Sequence, residues 1–351
     1  MGVRFAGWGV GLGERVVTND DLSRTLDTSD EWISERTGIR ARRIGGSASQ
    51  LGIVAGRAAL EDAGLQGADI DHLVLSTTTG DRVIPGTAPL IAHELGIRGG
   101  ALDLNAACSG FMYGLAVARG LIATGAGRIL LVGAENLSRW TDWSDRTTAV
   151  LFGDGAGAVV LEASDLDSVR SLNLGADGSL AELIYADHGG FIHMDGREVF
   201  RRAVRVVVDS AENALRDAGV TIDNISLVLA HQANQRILAA VADRLGVDFS
   251  KVEVCLDSYG NTSSASIPPS STTRPPGRPR ATSTTSPTPS STARSPRCAT
   301  GPTSSSSPRC AWPARSSAAN GSSTHSAPNS PASAHRRWAL LALPFSFASS
   351  I

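Results

Sequence analysis

Cys108 lies at a position where a protein can place a catalytic nucleophile. Cys108 follows an apolar segment of strand character, ALDLNAAC, and precedes an apolar helical pattern, SGFMYGLAVARGL. Its neighbours are small, so the backbone can approach a substrate closely here. A thiol at a helix N-terminus faces the positive end of the helix dipole, which favours the nucleophilic thiolate. The position predicts a catalytic cysteine, although a lone cysteine is also often a small buried apolar residue.

A histidine occupies a comparable position later in the chain. His231 lies between a predicted strand, residues 227–230, and a predicted helix, Gln235–Leu245. Open α/β sheets bind ligands outside the carboxyl ends of their strands. His231 is therefore a second candidate site residue, although an ordinary turn histidine fits the same pattern.

Strand and helix patterns alternate around these residues, which indicates an α/β protein. The predicted elements before Cys108 are a helix over 51–63 that ends at Gly64, a strand over His72–Ser76, a helix over Ala88–Leu95 and a strand over 101–104.

An internal repeat relates the two halves of this α/β region. ALEDAG at 59–64 recurs as ALRDAG at 214–219, and HLVLS at 72–76 corresponds to SLVLA at 226–230. So long an offset indicates duplication of a whole half-domain. Asn261 takes the position of Cys108 in the second copy, so duplication would place both beside His231, although Asn261 could also be a turn residue. We predict an N-terminal half over 1–165 and an incomplete C-terminal half over 166–267.

The composition changes abruptly at residue 267. Of 351 residues, 42% are hydrophobic, which excludes a wholly disordered or fibrous chain. Residues 1–267 hold all 34 acidic residues and carry a formal charge of −11, whereas 268–351 carry +9 and 14 of the 16 prolines. Such a Pro/Ser/Thr/Arg tail cannot bury a core and is predicted to be disordered. A shifted reading frame in a GC-rich gene explains it, and so does a basic tail for an acidic partner.

Other patterns bear on location and metals. The first residues do not form a signal peptide, and the longest apolar run, 11 residues from Trp338, is too short to span a bilayer. We therefore expect a cytoplasmic protein with no membrane or nucleic-acid partner. The four cysteines form no C-x-x-C pair, so we expect neither zinc nor a disulfide framework.

Two glycine runs imitate phosphate-binding loops. AGWGVGLG from Ala6 is not followed by an immediate helical pattern, and FGDGAG from Phe152 leads into a strand. Both have the wrong order for a phosphate-binding loop, and we predict tight turns.

Several segments together resemble one enzyme family. They are DTSDEWISERTGIRARR (27–43), LDLNAACSGF (102–111), FGDGAGAVVL (152–161), HQANQRI (231–237) and YGNTSSASIP (259–268). In this order they resemble the β-ketoacyl-acyl-carrier-protein synthase III group, over about residues 2–267. The resemblance implies a thiolase-like fold: duplicated α/β half-domains in a layered α-β-α-β-α arrangement, here with a truncated second half.

The resemblance also implies a reaction and a catalytic triad of Cys108, His231 and Asn261. The Cys108 thiolate would attack an acyl-CoA thioester, and a malonyl-acyl-carrier-protein thioester would lose CO₂ and attack the resulting acyl-enzyme. His231 and Asn261 would donate hydrogen bonds to the enolate oxygen. The resemblance implies a homodimer, with acyl-CoA as substrate and no cofactor or metal.

Further residues receive roles from the same resemblance. Trp32, Arg36 and Arg146 would hold the CoA nucleotide, and Asn234 would contact pantetheine. Ile84 would reach across the dimer to limit the acyl pocket. Gly196 and Phe200 would line the substrate site. Carrier-protein docking would use Arg201, Arg202, Arg205 and Arg236, although an ordinary solvated arginine face explains these residues as well.

Three other functions fit parts of the sequence. Papain-like proteases share the order Cys, His, Asn, but AACSGF does not match the surroundings of their cysteine. Some relatives of the resembled family transfer an acyl group to a hydroxyl or amine without decarboxylation. A catalytically silent relative would fit the absence, after Ile267, of the glycine-rich loop that completes the family's oxyanion hole.

Overall fold

A computed structural model describes residues 1–268. In chain order its strands are β1 (Gly2–Leu12), β2 (Arg15–Thr18), β3 (Ala41–Ile44), β4 (His72–Ser76), β5 (Gly100–Leu104), β6 (Arg128–Asn136), β7 (Asp154–Ser164), β8 (Ile184–Tyr185) and β9 (His193–Met194). The α-helices are α1 (Asn19–Ser23), α2 (Asp30–Thr37), α3 (Ala48–Ala63), α4 (Ala88–Leu95), α5 (Gly110–Ala123), α6 (Arg146–Ala149), α7 (Gly196–Ala218), α8 (Gln235–Leu245) and α9 (Leu256–Tyr259).

A five-stranded sheet in the order β1-β7-β6-β4-β5 forms the centre of the N-terminal half. β4 runs parallel to β5 and β6, whereas β7 runs antiparallel to β1 and β6. The carboxyl ends of β4, β5 and β6 therefore lie at one edge of the sheet. Cys108 follows β5 directly, so the sheet delivers it to the edge where α/β proteins place their sites.

Helices cover both faces of this sheet. One apolar core joins α3 and α4 to β4, β6 and β7, and includes Leu51, Ile91 and Leu130. A second core lies on the other face and joins α5 to the same strands through Phe111, Leu115 and Leu131. The predicted bounds of β4 and α4 are confirmed, and the predicted helix over 51–63 begins three residues earlier.

The prediction of tight turns at the glycine runs is wrong, because most of these glycines lie inside strands. Gly7, Gly9 and Gly11 belong to β1, where a Cβ on Gly9 would stand 2.0 Å from the backbone oxygen of Ala55 in α3. In the second run, Gly155 lies within β7. The glycines of β1 remove side chains from the face on which α3 packs, so strand and helix approach each other closely.

The second half is built mainly from helices within the described residues. A third apolar core joins α7 to α8 through residues such as Val207, Leu215 and Val241. The predicted helix Gln235–Leu245 is confirmed. The predicted strand over 227–230 is not: it forms isolated bridges, including Val228 with Val252. The segment aligned with the end of β5 contains helix α9 instead of a strand. The division at residue 165 stays a prediction.

Two further predictions concern the rest of the chain. The predicted disordered tail over 268–351 lies, apart from Pro268, outside the described residues, as does the region where the glycine-rich loop is expected. Within residues 1–268, none of the helices has the length and apolar character needed to cross a membrane.

The packing of α3 on β1 gives a stability prediction. Gly9→Ala should lower the free energy of unfolding by about 1–3 kcal/mol, because the new methyl group meets backbone that cannot move away easily. Gly120→Ala is the matched control, since Gly120 lies inside α5 and a Cβ there meets nothing within 4 Å. Urea unfolding measures both variants. Equal stability of the two would contradict the close approach.

Candidate active site

Cys108 lies in a single turn, Ala107–Ser109, between β5 and α5. The residue is half-buried, and Ala107 before it has a left-handed backbone with φ of 46°. The Ser263 hydroxyl donates a hydrogen bond to Cys108 Sγ at 3.5 Å. Burial raises the pKa of the Cys108 thiol to about 11; the Ser263 hydrogen bond lowers it, and the nearby charge of Glu135 raises it. With a pKa of about 11, the thiol and not the expected thiolate is the resting form at neutral pH, and burial is the main cause.

Ser263 also contacts the other two members of the predicted triad. Its backbone N–H donates to Asn261 Oδ1 at 2.9 Å, and its backbone hydrogen bond to His231 favours the protonated ring. Ser263 has a φ of 48°, which turns the chain sharply after Asn261. The structure therefore brings Cys108, His231 and Asn261 together around one serine.

His231 is enclosed by protein, with 2% of its surface exposed. Its Nδ1 shares a hydrogen bond of 2.8 Å with Ser266 Oγ, which in turn accepts from the Gln232 N–H. Burial lowers the pKa of His231 to about 4, so the imidazole is neutral at neutral pH. A neutral imidazole donates from one ring nitrogen and accepts at the other.

Asn261 is held by its backbone against the end of α6 and the start of β7. Its N–H donates to Leu151 O, and its carbonyl accepts from the Gly153 N–H, both at 2.9 Å. Gly260 before it has a φ of 75°, and a Cβ there would stand 2.9 Å from the Arg42 side chain. Glycine is thus needed at 260 for the Asn261 side chain to turn towards Ser263.

A separate cluster gathers the residues assigned to the CoA nucleotide. The guanidinium carbons of Arg36 and Arg146 lie 4.5 and 4.8 Å from the centroid of the Trp32 ring. Arg146 also donates to the backbone oxygen of Asp27 at 2.7 Å. Asn234 caps α8 and donates to the backbone oxygen of Arg36 at 3.0 Å. An aromatic ring flanked by guanidinium groups suits a nucleotide.

The arginines assigned to carrier docking are mostly engaged in ion pairs. Arg201 and Arg202 both bind Glu198, and their hydrogen bonds hold the pKa of that carboxyl down at about 2. Arg205 pairs with Asp209 at 3.7 Å. Arg236 instead lies over the Phe200 ring at 5.7 Å. This face therefore carries its own counter-charges.

Two residues assigned to substrate are exposed within one chain. Ile84 is 84% exposed in the loop before α4. Gly196 begins α7, and Met194 is the neighbour that a Cβ there would meet.

Sequence reasoning missed three polar residues of the site: Ser263, Ser266 and Glu135. Both serines lie in the run NTSSAS, and Glu135 is the acidic residue in the apolar segment RILLVGAEN. A charged residue within a buried strand was the available signal, because such residues are rarely buried without a partner.

Among residues 1–268, no group of three or more His, Cys, Asp or Glu side chains could hold a metal ion.

The chain matches the sequence profiles of one enzyme family and several of its members. The sequence profile of 3-oxoacyl-[acyl-carrier-protein (ACP)] synthase III matches residues 102–178, and the profile of its C-terminal region matches residues 215–270. A β-ketoacyl-[acyl-carrier-protein] synthase III from Roseiflexus sp. (strain RS-1) is 50% identical over 285 residues, which cover 75% of this chain and 87% of that protein.

Solved structures give the same result and confirm the predicted fold class. The 3-oxoacyl-[acyl-carrier-protein] synthase III from Aquifex aeolicus VF5 is 44% identical, with a TM-score of 0.75 over 77% of this chain and 89% of that one. The priming β-ketosynthase of the R1128 polyketide pathway is 37% identical, with a TM-score of 0.74 over 77% of this chain and 86% of that one. With these identities over most of each relative's length, the chain belongs to the β-ketoacyl-[acyl-carrier-protein] synthase III family.

Proposed function

We propose that this chain carries out the two half-reactions of a β-ketoacyl synthase III, in fatty-acid initiation or polyketide priming. An acyl-CoA acylates Cys108, and malonyl-acyl-carrier protein then condenses with the acyl-enzyme by decarboxylation. The arrangement of Cys108, His231 and Asn261 around Ser263 carries the proposal. The names of the relatives, which include a priming β-ketosynthase of a polyketide pathway, support it.

In the first half-reaction, Cys108 Sγ attacks the thioester carbonyl. The new carbon–sulfur bond displaces the CoA thiolate, which takes up the proton lost by the cysteine. Ser263 Oγ is within hydrogen-bonding distance of Sγ and can stabilise the negative charge on sulfur as the proton leaves. This donor offsets part of the cost that burial imposes on the thiolate.

In the second half-reaction, the malonyl group loses CO₂ and its enolate attacks the acyl carbonyl, which returns the thiolate to Cys108. Negative charge develops on the malonyl thioester oxygen, where neutral donors stabilise it. Ser266 engages Nδ1 of His231, so Nε2 lies on the opposite side of the ring and serves as the donor. Asn261 Oδ1 is taken up by Ser263, which leaves its amide NH₂ for the same oxygen.

The Trp32 cluster supports a place for the acyl-CoA substrate. The adenine would stack with the Trp32 ring, and Arg36 and Arg146 would contact phosphates. Asn234 and Phe200 would contact the pantetheine and acyl portions, with Gly196 at the start of the helix that carries Phe200. The reaction needs no metal or redox cofactor.

We also propose a cytoplasmic homodimer. Among the described residues, β5 is an edge strand of the sheet, and Val83 and Ile84 in the loop before α4 are 88% and 84% exposed. Edge strands and exposed apolar side chains are usual places for pairing with another chain. Ile84 would then border the partner's acyl pocket.

For carrier docking, Arg201 and Arg205 contribute less than Arg236, because their charges are already paired.

The two half-reactions should respond differently to loss of a donor. His231→Ala and Asn261→Asp should leave acylation of Cys108 within about threefold and lower condensation by about 10²–10³-fold, since their donors act on the enolate. Intact-mass spectrometry follows the first step, and release of labelled CO₂ follows the second. His93→Ala, on the exposed face of α4, is the control. Equal loss of both steps would contradict these roles, and acylation with transfer to a hydroxyl or amine would favour the non-decarboxylating alternative.

The nucleotide cluster predicts a substrate-dependent effect. Trp32→Ala should raise the KM for acetyl-CoA by about tenfold, because stacking on an aromatic ring and cation–π contacts are lost. The same variant should leave the KM for acetyl-pantetheine, which lacks the nucleotide, within about twofold. Steady-state kinetics with both thioesters measure this, and an equal rise for the two would place the nucleotide elsewhere.

The pKa of about 11 for Cys108 predicts a pH dependence. The thiolate fraction should rise about tenfold with each pH unit from 7 to 10, because the group titrates above that range. The rate of Cys108 alkylation by iodoacetamide should rise with the same slope, as measured by peptide mapping. Cys108→Ser is the blank that identifies the site. A rate that levels off below pH 8.5 would contradict a thiol that is protonated at rest.

A further inference from the structure

Glu135 is a buried carboxylate that the reaction above does not use. It lies near the end of β6 and has no exposed surface. Among residues 1–268 it takes part in none of the ion pairs. Burial of a carboxylate without a cation is costly unless hydrogen-bond donors surround it.

Donors from two segments meet this carboxylate. The first segment follows β4 directly and supplies Thr78 N–H at 3.1 Å, Thr78 Oγ1 at 2.9 Å, Thr79 Oγ1 at 2.8 Å and Thr77 Oγ1 at 3.5 Å. Thr79 Oγ1 accepts from the Asn136 N–H, and Thr77 Oγ1 accepts from the Thr79 N–H. Their own protons are therefore directed at Glu135. Burial raises the pKa of this carboxyl, and the hydrogen bonds from Ser264, Thr79 and Thr78 lower it and so favour the ionised form.

The second segment supplies Ser264. Its hydroxyl lies 2.8 Å from Glu135 Oε1 and 3.2 Å from the backbone oxygen of Ser76. Packing at this point is close, because a Cβ on Gly133 would stand 2.6 Å from Ser264 O. Ser264 directly follows Ser263, the residue that contacts Cys108, His231 and Asn261.

We propose that Glu135 is a positioning residue: through Ser264, its carboxylate fixes residues 261–266 on the sheet so that Ser263 and Asn261 face Cys108. What the segment contributes to catalysis rests on the proposed function, whereas how it is held rests on the contacts alone. The same carboxylate also places a negative charge near Cys108, which raises the pKa of the thiol. Glu135 therefore has an anchoring effect and an electrostatic effect that different substitutions separate.

Ser264→Ala removes the anchor and keeps the charge, whereas Glu135→Gln removes the charge and weakens the anchor, because an NH₂ donor then faces the surrounding hydroxyl and N–H donors. Ser210→Ala is the matched control for the serine, since Ser210 is also buried and bonds Asn173 at 2.9 Å away from the site. Glu162→Gln is the control for the acid, because Glu162 is a buried residue of β7 that pairs with Arg4 and Arg128. The three readouts are amide hydrogen exchange of residues 257–267, the pH profile of Cys108 alkylation, and the two half-reactions.

Exchange of residues 257–267 should accelerate by about tenfold in Ser264→Ala and in Glu135→Gln, because the buried anchor is lost or weakened, and should stay within about twofold in both controls. At pH 8, Cys108 alkylation should accelerate at least about twofold in Glu135→Gln and not in Ser264→Ala, since only the former removes the charge. Rates are expressed per reactive Cys108 thiol. On that basis, the condensation rate of both variants should fall at least about tenfold, and the acylation rate should fall by less than about threefold.

The proposal would be overturned if residues 257–267 of Ser264→Ala exchanged at the same rate as in the wild-type protein. It would also be overturned if both half-reactions of Ser264→Ala slowed equally while every Cys108 thiol remained reactive. If Glu135→Gln fails to fold, Ser264→Ala decides the anchoring effect. The exchange measurement needs no turnover. A wild-type chain that neither acylates nor condenses would therefore defeat the proposed function, and the exchange result would still decide this proposal.

Discussion

The site depends on one sharply turned residue. Ser263 adopts a left-handed backbone and from there reaches the sulfur of Cys108, the amide oxygen of Asn261 and the ring of His231. These residues come from distant parts of the chain, and no local pattern would bring them together. Residues 261–266 therefore form a clamp that holds Cys108, Asn261 and His231 close together.

Close packing makes this clamp possible. Glycines at 110, 133 and 153 leave no room for side chains where residues 259–265 lie against the sheet, and Gly260 takes up a positive φ beside Arg42. Where this segment lies against the sheet, buried polar groups take the place of apolar contacts. Glu135, Ser264 and Ser266 are each engaged in hydrogen bonds there. The burial that encloses the site also keeps the Cys108 thiol protonated and the His231 ring neutral. With its pKa lowered to about 4, the His231 ring is a weak base, so it is better suited to hydrogen-bond donation to an enolate than to removal of a proton from the thiol.

Much of this arrangement could be predicted from the sequence. Apolar patterns located β4, α4 and α8, and Gly64 correctly marked the end of α3. The internal repeat and the motifs around Cys108, His231 and Asn261 predicted which residues meet.

The glycines of β1 were misread as turns. They allow α3 to pack closely on the strand, and this contact joins segments far apart in sequence. The resting state of Cys108 was also misjudged, since a helix-terminus argument does not include the cost of burial. Ser263 was missed because its role arises only from tertiary contacts, whereas Glu135 was missed although its charge within the apolar segment RILLVGAEN was a signal.

The most direct test of this account is a single-turnover experiment on the wild-type chain with a panel of short straight and branched acyl-CoA substrates, followed by malonyl-acyl-carrier protein. The account predicts one acyl group per chain, mapped to the peptide that contains Cys108, and its discharge as a β-ketoacyl-carrier-protein product together with CO₂. An adduct on another residue, or an acylated Cys108 that never yields a β-ketoacyl product, would contradict the central claim that residues 261–266 assemble a condensing site around this cysteine.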